Sequence, residues 1–265
     1  MIYMKNAHQL ESMRKAGALL FEVLCRLKEA IKPGMSTAEL DVYAEQMILK
    51  HKAVPSFLDY HGYPATICAS LNEQVVHGIP SNNVILKEGD ILSVDCGLIL
   101  DGWQADSAFT VGIGEISPEA SRLIAVTEQS FFKGVRKAIQ GNRLGDIGAA
   151  VQGFAENYDY GVVRALTGHG IGRNMHEEPS VPNFGVPGHG IKLRAGMTIA
   201  VEPMIAMGGY EVEELEDGWT IVTADRSLCA HYEHTIAIKE DGLPELLTYP
   251  GFVWTEDGED ETDSV

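Results

Sequence analysis

Ile91-Leu-Ser-Val-Asp95-Cys-Gly-Leu-Ile-Leu100-Asp-Gly-Trp-Gln-Ala-Asp106-Ser-Ala-Phe-Thr-Val111 reads as two alternating strands flanking Asp101-Gly102, a strong two-residue hairpin signal. With those two residues as the loop, Leu100 faces Trp103 and Asp106 faces Gly97. Asp95 lies two residues from Gly97, so both aspartates point from one face as diagonal neighbours. Two carboxylates on a mostly apolar hairpin repel each other and are costly to bury unpaired. A multivalent cation resolves that cost. The alternative is a solvated strand face, against which stand Ile91, Leu92, Val94, Phe109 and Val111 around the pair.

Working outward, the hairpin belongs to a repeat. Leu86-Lys-Glu-Gly89-Asp-Ile-Leu-Ser-Val-Asp95 resembles Leu193-Arg-Ala-Gly196-Met-Thr-Ile-Ala-Val-Glu202, 107 residues later, and each copy carries a carboxylate six residues after the glycine. At the same offset Gly34 falls on Gly141, Glu39 on Asp146 and Leu40 on Ile147. Asp106-Ser-Ala-Phe-Thr-Val also echoes Glu233-His-Thr-Ile-Ala-Ile. Chance likeness between amphipathic segments is the competing explanation. The coarse pattern repeats too. Two helices are expected over about 10–52, with Pro33-Gly34 between them and Ser36 or Thr37 capping the second. A β-rich run covers 67–111, a helical stretch about 118–158, and a second β-rich run 196–238. Two α/β halves about a pseudo-twofold axis would each bring two carboxylates to a shared centre.

Composition bounds the function classes. The chain has 265 residues, 45% of them apolar, enough for a full core. No apolar run approaches the ~20 residues of a membrane span, and the first residues lack a signal-peptide pattern, so a cytoplasmic protein is expected. Cys25, Cys68, Cys96 and Cys229 lie far apart without a C-x-x-C pair, which suits reduced thiols better than a thiolate zinc site. The formal charge of −18 repels phosphate backbones, so no nucleic-acid affinity is expected. The segment 253–265 is an acidic tail expected to be disordered.

The second half offers matching donors. Glu202 sits inside Ile199-Ala-Val-Glu-Pro-Met-Ile205, where a lone acid is unexpected, and Glu233 heads the strand-like Glu233-His-Thr-Ile-Ala-Ile238. A buried Glu paired with an Arg is the alternative for each. His169 lies in Gly168-His-Gly-Ile-Gly-Arg173, which is not a dinucleotide fingerprint because Arg173 replaces its last glycine. His176-Glu-Glu-Pro-Ser180 is not a zincin helix, since position 180 is not histidine.

These residues, together with Asn72-Glu-Gln-Val-Val-His-Gly-Ile-Pro80, Gly168-His-Gly-Ile-Gly-Arg-Asn-Met-His-Glu-Glu-Pro179 and Trp219-Thr-Ile-Val-Thr-Ala-Asp-Arg-Ser227, resemble type I methionine aminopeptidases over about residues 5–250. The resemblance implies an α+β pita-bread fold, with curved antiparallel sheets around a dimetal centre and helices outside. It implies one catalytic domain over 1–252, with halves at about 10–112 and 118–250. Two divalent ions (Mn²⁺, Fe²⁺ or Co²⁺, with Zn²⁺ possible) would be held by Asp95, Asp106, His169, Glu202 and Glu233, with Asp106 and Glu233 bridging. The implied activity is removal of the initiator methionine by metal-activated water. Glu202 would be the general base, His77 would bond the scissile amide, and His176 would steady the carbonyl oxygen. Tyr60, His61, Tyr63, Cys68 and Trp219 would form the methionine pocket. Phe57 and Met175 stand there where better-known bacterial members often carry a cysteine and an aromatic residue. The implied partner is the N-terminal methionine of nascent chains, with transient ribosome contact and a monomeric enzyme.

Within the same fold, prolidase-like hydrolases carry a further N-terminal domain for which this chain has no room. Type II enzymes carry an insertion between the last two glutamates, where only 30 residues stand here. A catalytically dead binding protein of this fold would have lost ligands, and all five positions are filled.

Overall fold

The helical period at the N-terminus forms α1 (Ala7–Ala30), in a computed structural model that describes residues 1–255. The Asn6 side chain accepts from Gln9 N, and the Gln9 side chain accepts from Asn6 N, which satisfies two donors that a helix start leaves free. Met13, Ala16, Leu20, Val23, Leu24 and Leu27 line its buried face. α2 (Thr37–Lys50) starts with the same device, built from Ser36 and Glu39. Burial of each such leucine contributes roughly 1.5–3 kcal/mol. Both helices pack on a sheet whose first strands are β1 (Val54–Pro55), β2 (Ile67–Leu71), β4 (Ile91–Leu100) and β5 (Trp103–Gly112), while β3 (Gln74–Val76) joins a separate small sheet. The hairpin register is the expected one: Leu100 faces Trp103, Gly97 faces Asp106, and Asp95 faces Ala108. Asp101 and Gly102 both take positive φ, 51° and 74°, as this tight turn requires.

The helical stretch expected over 118–158 divides into α3 (Pro118–Val135) and α4 (Leu144–Glu156), which pack on each other. Strand structure then resumes earlier than expected, with β6 (Gly161–Val162), β7 (Gly168–Gly170) and β8 (Glu177–Val181). It continues through β9 (Thr198–Val201), β10 (Met204–Ala206), β11 (Val212–Glu214), β12 (Ile221–Thr223), β13 (Cys229–His231), β14 (Glu233–Ala237) and β15 (Glu245–Leu246). These strands are two to five residues long, too short for period-2 reading to separate them from loops.

Among the described residues the main sheet has nine strands, in the order β1-β4-β5-β14-β9-β7-β8, with β2 also on β4 and β15 on β14. Its pairings are antiparallel. The backbone echoes itself at the 107-residue offset. The bridge Ser36–Ile85 recurs as Arg143–Lys192, and the positive φ of Gly34 and Gly89 recurs at Gly141 and Gly196. A small sheet, β11-β12-β3, crosses between the halves and so draws Trp219 toward His77. No helix among the described residues is long and apolar enough to cross a membrane. The four cysteines are free. Of the acidic tail, 256–265 lie outside the described residues, whereas Trp254 packs against Phe252 and donates to the Pro244 carbonyl.

Candidate metal centre

The pleat assembles the acids. Ala108 on β5 faces Asp95 on one side and Glu233 on the other, and Asp106 is two residues along the same strand. Val201 on β9 is opposite His234, so the next residue, Glu202, comes level with Glu233. Pro203 has no N–H with which to continue the ladder. Asn183 holds the Glu202 carbonyl from its side-chain amide at 2.9 Å.

His169 enters from β7, where a register shift between His169 and Gly170 turns its ring inward. Its Nδ1 lies 2.9 Å from the Gly170 carbonyl oxygen. A carbonyl can only accept, so Nδ1 carries the proton and Nε2 keeps its lone pair for the centre. That Nε2 is 3.7 Å from Asp106 Oδ2 and 3.7 Å from Glu202 Oε1. Ligand atoms of Asp106, His169 and Glu233 all lie within 4.8 Å of one another.

The electrostatics are unbalanced. Among the described residues no Lys or Arg pairs with these four carboxylates, and their ionic neighbours are His169 and His231. The buried Asp95 Oδ1, Asp106 Oδ1 and Glu233 Oε1 have no hydrogen-bond partner. Burial pushes the Asp106 carboxyl up to about 8. Burial first, then the neighbouring acids, pushes Asp95, Glu202 and Glu233 well above the usual carboxylate range. The donor set therefore fits a divalent cation, which supplies the charge and the partners these oxygens lack. The buried Glu–Arg pairing, the other explanation for Glu202 and Glu233, is absent among the described residues.

The side chains expected to form the pocket stand beside the acids. Cys68 on β2 faces Asp95 directly across the ladder. Phe57, Tyr63, Cys68 and Met175 are buried in one cluster, with Tyr60 and Trp219 packed at its edge. Tyr63 meets Trp219 edge-on at 5.1 Å between centroids, and His77 lies 6.4 Å from Trp219. A side chain at Gly97 would come within 2.9 Å of Met175 Cε and 3.0 Å of Phe57 Cε1, so that glycine leaves the room these two occupy. The His176 Nδ1 is 2.8 Å from the Tyr60 hydroxyl, and its ring packs on His169 with centroids 4.4 Å apart. Partial burial, then the neighbouring imidazoles, lowers His176 to about 4. His61 is exposed and meets Tyr60, 4.5 Å between centroids. Sequence reasoning missed His231, which lies 3.8 Å from Glu202 and 3.9 Å from Glu233. The signal was present, because residues 231 and 233 share a face in any strand.

The family model for metallopeptidase family M24 matches residues 11–240. The chain belongs to that family. As an M24 metallopeptidase it uses divalent metal, and it has the family's pita-bread arrangement of helices and antiparallel sheet. It is similar to a methionine aminopeptidase of Clostridium acetobutylicum, with 56% identity over 94% of this chain and 99% of that protein. A methionine aminopeptidase of Clostridium perfringens is 54% identical over the same shares. The crystal structure of methionine aminopeptidase from Rickettsia prowazekii superposes with a TM-score of 0.92 at 42% identity, covering 94% of this chain and 100% of that one.

Proposed function

We propose that this M24 enzyme is a methionine aminopeptidase that removes the initiator methionine from nascent proteins by hydrolysing the first peptide bond. One observation carries the reading. Among the described residues, a buried set of carboxylates without Lys or Arg counterions stands beside a cluster of aromatic side chains and the Met175 thioether, with Cys68 facing Asp95. In this reading Asp95, Asp106, His169, Glu202 and Glu233 would hold two divalent ions. The oxygen-rich set suits Mn²⁺, Fe²⁺ or Co²⁺ at least as well as Zn²⁺. When bound, the ions supply a nucleophilic water at neutral pH and offset negative charge on the carbonyl oxygen.

The chain's own groups do the rest. Glu202 takes the proton released as water attacks the carbonyl after methionine. His77, half-buried with its pKa lowered by burial, hydrogen-bonds the scissile amide. His176 is neutral near pH 7; with the Tyr60 hydroxyl donating to Nδ1, its Nε2–H is free to donate to the developing oxyanion. Phe57, Tyr60, Tyr63, Cys68, Met175 and Trp219 shape the methionine pocket, with His61 at its rim, and sulfur–ring contacts add about 0.3–1.5 kcal/mol. The same reading implies a monomer in the cytoplasm that meets nascent chains at the ribosome and has no nucleic-acid affinity of its own.

Hydrolysis of Met-Ala-Ser and Ala-Met-Ser by metal-free enzyme, before and after addition of Mn²⁺ or Co²⁺, tests the reading. Metal-dependent release of methionine from the first peptide alone is expected. Cleavage of both peptides would point to a broader aminopeptidase. Folded protein that cleaves neither with any metal would point to a binding protein.

A further inference from the structure

Two neighbouring histidines on β13 and β14 are equally hidden and differently satisfied. His234 is 6% exposed and fully engaged: Nδ1 meets Ser107 Oγ at 3.0 Å and Thr248 Oγ1 at 2.9 Å, and Nε2 meets the Tyr232 hydroxyl at 3.1 Å. It is a core histidine with its bonds made. His231 is 1% exposed, yet its Nε2 has no hydrogen-bond partner. A buried ring nitrogen without a partner costs about 1–3 kcal/mol, so the fold keeps it there against a penalty.

What it faces is the centre. Nε2 lies 3.8 Å from Glu202 Oε2 and 3.9 Å from Glu233 Oε2. On the other flank of the carboxylates, His169 Nε2 stands 3.7 Å from Asp106 Oδ2 and 3.7 Å from Glu202 Oε1. Glu202 thus has an imidazole beside each of its two oxygens. The backbone of His231 is fixed at both ends: its N–H donates to Thr110 Oγ1 at 2.9 Å, and its carbonyl accepts from the same hydroxyl at 2.8 Å. Across β10 it is paired with Met204, two residues beyond Glu202, and along its own chain it is two residues before Glu233.

We propose that His231 is a positioning residue of the metal centre, donating a hydrogen bond from Nε2 to the Glu202 carboxylate. The donation holds one oxygen of Glu202 while the other serves the centre, which fixes the direction in which Glu202 takes a proton. A shift of about 1 Å in that carboxylate closes 3.8 Å to hydrogen-bond length. This inference rests on the proposed dimetal function, with Glu202 as its base.

The test is calorimetric titration of metal-free protein with Mn²⁺, for the parent, His231→Leu and His231→Gln, alongside kcat on Met-Ala-Ser. His231→Leu should weaken Mn²⁺ binding and lower kcat by about 10–100-fold each. His231→Gln, which keeps an N–H donor at similar reach, should restore most of both. In a Glu202→Gln background, His231→Leu should change Mn²⁺ affinity far less, because the partner is gone. Should His231→Leu fail to fold, His231→Asn, polar but shorter, takes its place. Parent-like Mn²⁺ binding by His231→Leu would overturn the inference, as would a His231→Gln variant as weak as His231→Leu. A folded parent that binds no Mn²⁺ would overturn the underlying function instead, so the two failures are told apart.

Discussion

In the first half of the molecule, Asp95 and Asp106 stand on one uninterrupted hairpin, with a two-residue turn between their strands. In the second, Glu202 follows β9 and Glu233 opens β14, with 30 residues and four other named strands between them. The backbone plan is shared, down to the bridges Ser36–Ile85 and Arg143–Lys192. The chemistry is divided. The first half contributes most of the aromatic slot and His77, while the second contributes His169, His176 and His231. A repeated frame therefore sets where carboxylates can meet, and the irregular strands of one copy decide which imidazoles reach them. Local pairing gives the hairpin its rigidity. The second half depends on long-range contacts, and most of its donors are placed by short strands that pair across the sheet.

The largest test of this comparison removes one matched acid from each half. Asp106→Ala and Glu233→Ala should each lower kcat/KM by more than about 10²-fold, beyond what loss of an outer partner costs. Mn²⁺ stoichiometry by calorimetry should fall in both. A large loss in one and a small loss in the other would break the equivalence of the halves.

His176→Ala comes next, with kcat reduced by about 10²-fold, KM little changed and metal content intact. Steady-state kinetics with metal analysis checks it. A rise in KM alone would place His176 in binding and not in the reaction.

Metal removal exposes the shared charge. Burial raises the four carboxyls in the folded state, Asp106 to about 8. A carboxyl raised on folding adds stability that is fully present below its unfolded pKa of about 4 and is lost as pH rises through the folded value. The metal-free protein should therefore melt higher at pH 5 than at pH 8. Mn²⁺ at about 100 times its Kd should raise the pH 8 melting temperature by about 5–10 °C. The buried histidines, whose folded-state pKa values are lowered by burial, pull the other way, so equal metal-free melting at both pH values would mean that the four acids do not outweigh them.

The smallest effect concerns the matched helix starts. The Ser36 hydroxyl caps α2, accepting from Glu39 N at 3.2 Å, so Ser36→Ala should cost about 1 kcal/mol in urea unfolding. At the equivalent position, the Arg143 side chain caps no helix N–H and donates to the exposed Gly190 carbonyl. Arg143→Ala should stay within about 0.5 kcal/mol.

Much of this was legible in residue order. The Asp101-Gly102 turn placed Asp95 and Asp106 on one face because strand geometry has period 2 and the loop has one length. The 107-residue offset led from Asp95 to Glu202 and from Gly34 to Gly141. What escaped had a physical cause. The break between α3 and α4 falls in Arg136-Lys-Ala-Ile-Gln-Gly-Asn-Arg143, where only Gly141 interrupts residues that a helix tolerates. The short strands β6 to β8 carry too few residues for any period to register. His231 went unread because a histidine in a strand is usually a satisfied core residue, as His234 is.

Sequence by itself determined the periodic parts: two helices with their caps, a hairpin in one register, and four acids too apolar in context to stand unpaired. These follow from interactions between residues a few positions apart, which the order of side chains specifies directly. Only the tertiary structure decided that Trp219 meets Tyr63, that Cys68 faces Asp95, that His169 turns Nε2 inward and that the His231 Nε2 is left without a hydrogen bond. Those facts depend on packing between segments far apart in the chain. There the burial of a whole sheet, not any local preference, fixes which polar atoms find partners and which are left facing the centre.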